Sequence, residues 1–364
     1  LTLGEFINDV LMVLFFFVVG LEIKRELVTG ELNTKRAAAL PAAAAIGGMV
    51  VPALIYFGFN QSGDATAGWG IPMATDIAFA VGVVSLLGTR VSTSLKIFLL
   101  TLAIVDDIGA IIVIALFYTE KLSVGWLIVA FLVVFATSLL KVVKIWYMPI
   151  YVILGFILWY AIFESGVHAT IAGVIMGLLA PARPLLDTDD EVELFKIQKI
   201  DEVETRSLRR LAFQIKETVP VTERLENLLH PLTGFIILPL FALANAGVVL
   251  STESIGDAFS SGVTQGIAIG LVVGKIVGVA VFTLLAVKMG LCVLPVGTTP
   301  RHIVGIASIA GIGFTVSMFI TGLAFDDGAL QDEAKIGILF ASLIAALIGI
   351  FILYKSSERE DIST

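Results

Sequence analysis

Eleven runs of apolar residues follow one another along the chain, near 5–23, 37–58, 69–88, 95–118, 124–140, 147–163, 166–182, 231–250, 263–287, 302–325 and 334–354. A membrane-spanning helix needs about 20 mostly apolar residues, and each run is of that order. Inside a bilayer every backbone N–H and C=O must be bonded within the protein, so only helices and closed barrels span it. A barrel strand would read as roughly 10 residues of alternating hydrophobicity. These runs are continuous, so the chain is read as an all-α polytopic membrane protein with about 11 spans. Composition agrees: of 364 residues, 58% are hydrophobic and 15% charged, against about 25% charged in a soluble domain. A soluble enzyme, a disordered chain and a disulfide scaffold are excluded. One cysteine, Cys292, and three scattered histidines offer no cluster for a structural metal, and no cofactor is expected. The net charge of −8 argues against a nucleic-acid partner. The chain starts at Leu1 with no positive n-region, so no signal peptide is expected; the start is not Met, and whether a span precedes it stays open.

Orientation follows from Lys and Arg, which are in excess in cytoplasmic loops. Alternate loops hold Lys24, Arg25, Lys35 and Arg36, then Arg90 and Lys96, then Lys141 and Lys144, then eight more within 183–230. Lys288, Arg301, Lys355 and Arg359 continue on that side. The opposite loops hold only Lys121 and Lys335, beside acids such as Asp64, Glu164, Glu253 and Asp326. Twenty against two places the first set, and the C-terminal tail, in the cytoplasm. Trp69, Tyr118, Trp146, Tyr147 and Tyr354 lie at run ends, as an aromatic belt would place them. The 183–230 segment, with eight basic and eleven acidic residues, reads as a solvated cytoplasmic loop. Residues 1–364 together read as a single transmembrane domain.

Four ionisable residues fall near the middle of a span: Asp76, Asp106, Asp107 and Lys275. Each costs about 2.5–3.5 kcal/mol on the insertion scale when alone at the bilayer centre. An ion pair that only fixes helix packing accounts for one aspartate with Lys275. Two carboxylates remain, and they must take up protons or cations. Asp106 and Asp107 are adjacent, so on a helix they point about 100° apart. The face of Asp106 also carries Ala103, Gly109 and Ala110, which admit a close neighbour. One aspartate is expected to meet Lys275 across a close contact and the other to face a water-accessible cavity; which is which stays open. Lys275 borders a ribbon of Gly266, Gly270, Gly274 and Gly278, predicted to be a helix contact.

Two spans look interrupted. In 69–88, Pro72 removes a helical hydrogen bond four residues before Asp76. In 302–325, Gly311 and Gly313 lie among Ser308, Thr315 and Ser317. These are the middle members of two three-span groups, 37–118 and 263–354. The basic–acidic alternation gives the groups opposite orientations, so they are read as inverted repeats. Paired interruptions in corresponding positions of two halves point to a transport site at the repeat interface. Asp76 would then stand opposite converging half-helix N-termini, and Lys275 opposite converging C-termini.

At this point the residues resemble a known family. Ile71-Pro72-Met73-Ala74-Thr75-Asp76-Ile77-Ala78-Phe79-Ala80 is similar to the interrupted fourth helix of the bacterial NhaA sodium–proton antiporters. Leu102-Ala103-Ile104-Val105-Asp106-Asp107-Ile108-Gly109-Ala110 resembles the aspartate pair of their fifth helix. Gly20-Leu21-Glu22-Ile23-Lys24-Arg25-Glu26-Leu27, Ser165-Gly166-Val167-His168-Ala169-Thr170, Leu238-Pro239-Leu240-Phe241-Ala242 and Gly274-Lys275 follow the same pattern, in order. The family is itself a standard example of inverted-repeat transporters. The resemblance implies 12 spans with two interrupted helices crossing at mid-membrane, in the bacterial inner membrane. It implies that Asp107 is the main sodium ligand with Asp106 beside it, and that Thr75 helps coordinate the ion. It implies that an Asp106–Lys275 salt bridge breaks as protons and sodium exchange, and that Asp76 balances the half-helix dipoles. Glu22, Glu226 and His168 match positions tied to the family's pH response; a structural role for each is the competing reading. A homodimer is implied too, although the family's additional N-terminal helix and the β-hairpin of its dimer contact precede the matched stretch. The 183–230 loop is longer than the family's usual one.

The implied function is electrogenic exchange of cytoplasmic sodium, or lithium, for more than one proton, controlling cytoplasmic pH and sodium by alternating access. Antiport needs a site that binds either cation but not both together. A carboxylate that kept an ordinary pKa of about 3.9 would rarely hold a proton at cytoplasmic pH. Other readings fit less well. An intramembrane aspartyl protease carries Tyr-Asp and Gly-x-Gly-Asp, whereas here Thr75 precedes Asp76 and Val105-Asp106-Asp107 lacks the glycines. A potassium–proton exchanger or a proton-coupled anion symporter would share the scaffold, but the carboxylate pair favours a cation. A channel or a purely structural protein has no use for unpaired carboxylates at mid-depth. No phosphate-binding loop is present, so an ATP-driven pump is disfavoured, and no enzyme activity is expected.

Overall fold

The computed structural model describes residues 2–119, 122–143, 147–184, 219–248, 256 and 258–361. Among these the regular structure is entirely helical. Each of the eleven apolar runs has a helical counterpart. They are α1 (Met12–Val28), α2 (Lys35–Phe59), the 3-10 segment Asp64–Met73 with α3 (Ile77–Leu86), α4 (Thr93–Phe117), α5 (Val124–Val142), α6 (Met148–Glu164) and α7 (Thr170–Leu179). Then come α8 (Val221–Leu232) with α9 (Leu238–Asn245), α10 (Gly262–Ile269) with α11 (Lys275–Lys288), α12 (Pro300–Ile309) with α13 (Phe314–Ala324), and α14 (Gly328–Asp361). Among the described residues, six helices are individually long and apolar enough to cross a membrane, and two bent pairs add two more. The three remaining runs form α1, α6 and α7, of 17, 17 and 10 residues. The chain is a multi-pass membrane protein.

Both interruptions are present. Asp64–Met73 and α3 are bent by 42°, and α12 and α13 by 51°. The π-turns at Ile7–Leu11, Thr233–Ile237 and Gly270–Gly274 leave their helices continuous. One boundary differs from the sequence reading. The span expected at 231–250 is helical from Val221, because α8 runs through the Thr233–Ile237 turn into α9. Its first turns carry Glu223, Arg224, Glu226 and His230, a polar face that reads as loop in the sequence. Residues 185–218 of the 183–230 loop lie outside the described residues.

The helices form two compact units, one of residues 1–9, 34–121 and 237–364, the other of 10–33 and 122–236. In the first unit the glycine ribbon lies on α2. A Cβ on Gly278 would overlap the Gly47 carbonyl, and one on Gly274 would come 2.9 Å from Pro52 Cα. Backbones approach this closely only where no side chain intervenes. Around that contact Leu95, Leu99 and Leu102 of α4 pack with Ile303 and Ile306 of α12 and Ala345 of α14 in one buried cluster. Ser92 caps α4 by accepting from Leu95 N at 3.3 Å, an arrangement that contributes about 1 kcal/mol. In the second unit α1 and α7 meet through Gly20, Gly173 and Gly177; a Cβ on Gly20 would come 2.6 Å from the Val174 carbonyl oxygen.

Candidate cation site

The two interruptions meet in the first unit. At its break each chain segment is extended or irregular, which leaves backbone groups without helical partners. The two segments bond across to each other through backbone groups and side-chain hydroxyls instead. Asp76 N donates to Ile312 O at 2.7 Å, and Thr75 Oγ1 lies 2.7 Å from Ala310 O. Ser317 Oγ donates to Ile71 O at 2.8 Å.

Asp76 serves both half-helices. Its Oδ1 accepts from Phe79 N at 3.1 Å, capping α3. Its Oδ2 accepts from Thr315 N at 3.0 Å and from Thr315 Oγ1, in the first turn of α13. One carboxylate therefore stands at two helix N-termini, where partial positive charge concentrates. Thr315 is a partner that the sequence reading noted only as a mid-depth hydroxyl.

One residue back, Thr75 joins a second cluster. Lys275 Nζ lies 2.6 Å from Asp106 Oδ2 and donates to Thr75 Oγ1 at 3.0 Å. Thr75 Oγ1 is 2.7 Å from Asp106 Oδ2. Thr75, Asp106 and Lys275 are each 0% exposed. The hydroxyl has one proton, so it donates either to Asp106 or to Ala310 O, while its lone pair receives the ammonium. Asp106 Oδ1 is buried with no hydrogen-bond partner among the described residues. Asp107, the next residue of α4, is 5% exposed.

The π-turn Gly270–Gly274 comes immediately before Lys275. Such a turn accommodates an extra residue and rotates the later part of the helix relative to a regular α-helix. It is built of glycine, leucine and valine, and its glycines press on Pro52 and Pro72.

Over residues 1–353 the chain matches the family described as Na+/H+ antiporter 1. The chain belongs to that family. It is 48% identical over 362 residues to the Na(+)/H(+) antiporter NhaA 3 of Frankia alni, covering 99% of this chain and 78% of that relative. It is 46% identical over 377 residues to the NhaA antiporter of Syntrophobacter fumaroxidans, covering 99% and 80%. Against the NhaA antiporter of Helicobacter pylori strain HPAG1 the figures are 44% over 370 residues, with 98% and 84% covered.

The remaining candidates of this antiporter-family chain lie in the second unit. Arg25 Nη1 is 2.6 Å from Glu226 Oε1, joining α1 to α8, and Glu22 is within electrostatic reach of both. Glu226 Oε2 is buried without a hydrogen-bond partner among the described residues. Glu26 Oε1 accepts from Glu31 N at 2.8 Å. His168 is half-buried in the turn between α6 and α7. Arg25 enters the sequence reading as a loop charge and as part of the Gly20–Leu27 match; its partner lies 201 positions away, and no local pattern announces the pairing.

Proposed function

We propose that this chain exchanges sodium or lithium for protons across a bacterial inner membrane, electrogenically and by alternating access, with its C-terminus in the cytoplasm. Asp107, Asp106 and Thr75 hold the cation, Lys275 is the internal counter-charge, and Asp76 balances the two half-helix ends. The observation that carries this reading is the lopsided state of Asp106. One oxygen is bound by an ammonium and lies 2.7 Å from the Thr75 hydroxyl, while the other is buried and unmet among the described residues. An unmet buried oxygen costs free energy, and a proton or a bare cation relieves it.

The ion pair also supplies the coupling. Moving Lys275 away would leave Asp106 as an uncompensated buried charge, which costs about 3–5 kcal/mol. The pair therefore opens only as a proton or a cation arrives at the carboxylate. When Lys275 withdraws, the lone pair of Thr75 Oγ1 that received it is freed to face the same cation. Sodium arriving from the cytoplasm displaces protons, the loaded site opens outward, and protons return it. The 37–118 and 263–354 groups would rock as inverted repeats around the crossing. Glu22, Glu226 and His168 are assigned to the pH response, and a homodimer is the expected assembly.

The test uses everted membrane vesicles from cells lacking other antiporters. The pH gradient is followed by fluorescence dequenching on addition of sodium, lithium or potassium, from mildly acidic to mildly alkaline pH. Dequenching by sodium or lithium that grows with pH is expected. Dequenching by potassium alone would keep the mechanism and change the substrate, and silence with every cation would overturn the proposal.

A further inference from the structure

The first half of the interrupted span, Asp64–Met73, runs ten residues as a 3-10 helix. Runs beyond three or four residues are uncommon because the hydrogen-bond geometry is poor, so such a segment depends on support from outside. Three hydroxyls supply it. Tyr56 of α2 donates to Ala65 O at 2.7 Å, and Ser317 of α13 donates to Ile71 O. The third, Tyr118, is the C-cap of α4, the helix that carries Asp106 and Asp107.

Tyr118 makes two bonds. Its phenol donates to Ala67 O at 2.6 Å and accepts from Gly70 N at 3.2 Å. In a 3-10 turn the N–H of residue i+3 pairs with the C=O of residue i, and Ala67 and Gly70 stand in that relation. The phenol oxygen thus receives the donor and satisfies the acceptor of one turn. Gly70 leaves room for it, since a Cβ there would come 2.7 Å from the phenol oxygen. Alongside, Trp69 packs edge-on against Phe117 of α4, with ring centroids 5.1 Å apart. The segment then ends at Met73, two residues before Thr75.

We infer that Tyr118 is a positioning residue of the cation site. It ties the Ala67–Gly70 turn to α4 and thereby sets where Thr75 stands relative to Asp106 and Asp107, and with it the size of ion that the site accepts. The inference rests on the antiport reading above. Lithium is smaller than sodium, so ligands held by a fixed frame discriminate between them, and a frame cut at Tyr118 discriminates differently.

Tyr118→Phe is the informative variant. The ring stays, and the 3-10 turn keeps its own pairing of Gly70 N–H with Ala67 O, so the turn remains bonded while its tie to α4 is lost. Everted vesicles give the sodium and lithium dependence of proton movement, and purified protein gives a melting temperature. The apparent KM for sodium is expected to rise about three- to tenfold, the order of effect that losing the phenol's hydrogen bonds to the turn gives. The lithium-to-sodium KM ratio is expected to shift by about twofold or more, with the maximal rate per folded protein and the melting temperature near wild type. Gly70→Ala, which crowds the phenol oxygen from the other side, is expected to move KM in the same direction. Unchanged KM values and ratio in both variants would overturn the inference. So would a loss of rate or of melting temperature with KM unchanged, which is what a merely structural tyrosine would give. Silent wild-type vesicles would overturn the antiport reading and this inference with it; active wild type with unaltered variants would overturn the inference alone.

Discussion

Lys275 and Asp106 stand 2.6 Å apart, and neither side chain has any solvent exposure. Two charges out of water at this spacing are held as a unit, because removing either leaves the other stranded. The proposed exchange cycle is built on that constraint.

Lys275→Ala is expected to destabilise the protein by about 3–5 kcal/mol, by leaving the Asp106 charge buried and unpaired. Adding Asp106→Asn removes the stranded charge, so the double variant is expected to melt above Lys275→Ala alone. The coupling is read from melting temperatures of the two single variants and the double. Strict additivity would remove the ion pair from the account.

Asp76→Ala removes the acceptor for Phe79 N and Thr315 N at once. A lost helix cap costs about 0.5–2 kcal/mol, and two are lost together. Asp76→Asn keeps an acceptor oxygen and gives up only the charge, so it is expected to melt closer to wild type. The order wild type, Asn, Ala in thermal melts checks this; equal melting of Asn and Ala would contradict a capping role.

Thr75→Ala deletes the hydroxyl that lies between Lys275, Asp106 and Ala310 O. The apparent KM for sodium is expected to rise about tenfold, in keeping with a lost bond to a charged group of roughly 1.5 kcal/mol. Thr75→Ser keeps the hydroxyl and is expected to recover most of the affinity. A serine variant as weak as alanine would show that the methyl packing, not the hydroxyl, matters.

Protons and sodium compete for one site, so acid raises the sodium requirement. While the site carries protons, at least one must leave for each sodium bound, so the apparent KM for sodium is expected to rise about tenfold or more for each unit of acidification. Sodium titrations at several pH values read the slope. A KM independent of pH would contradict competition.

The spans are legible in the sequence because a bilayer demands long apolar runs, whatever the tertiary packing. The interruptions are legible too, because Pro72 and the Gly311–Gly313 pair are poor in the middle of a helix. Other features depend on residues far apart in the chain. The residues alone leave open which aspartate meets Lys275, and only the family resemblance names Asp106; the Gly270–Gly274 turn that precedes Lys275 is not legible, because glycine and valine repeats carry no mark of a π-turn. The Asp76–Thr315 bond spans 239 positions and exists only because two breaks meet. Tyr118 sits where a belt aromatic belongs, so its two backbone bonds are invisible without the 3-10 segment beside it. The start of α8 is hidden by its charges, since hydropathy registers the apolar stretch and not the polar turns that lead into it.

The central claim is that sodium and protons exclude one another at the Asp106–Asp107 carboxylates. The most direct measurement is proton release from purified protein in weakly buffered detergent solution as sodium is added, for wild type and Asp107→Asn. The account predicts release from wild type that saturates at the sodium concentration that half-saturates transport, and none from Asp107→Asn. Sodium binding without proton release, or release that persists in Asp107→Asn, would contradict it.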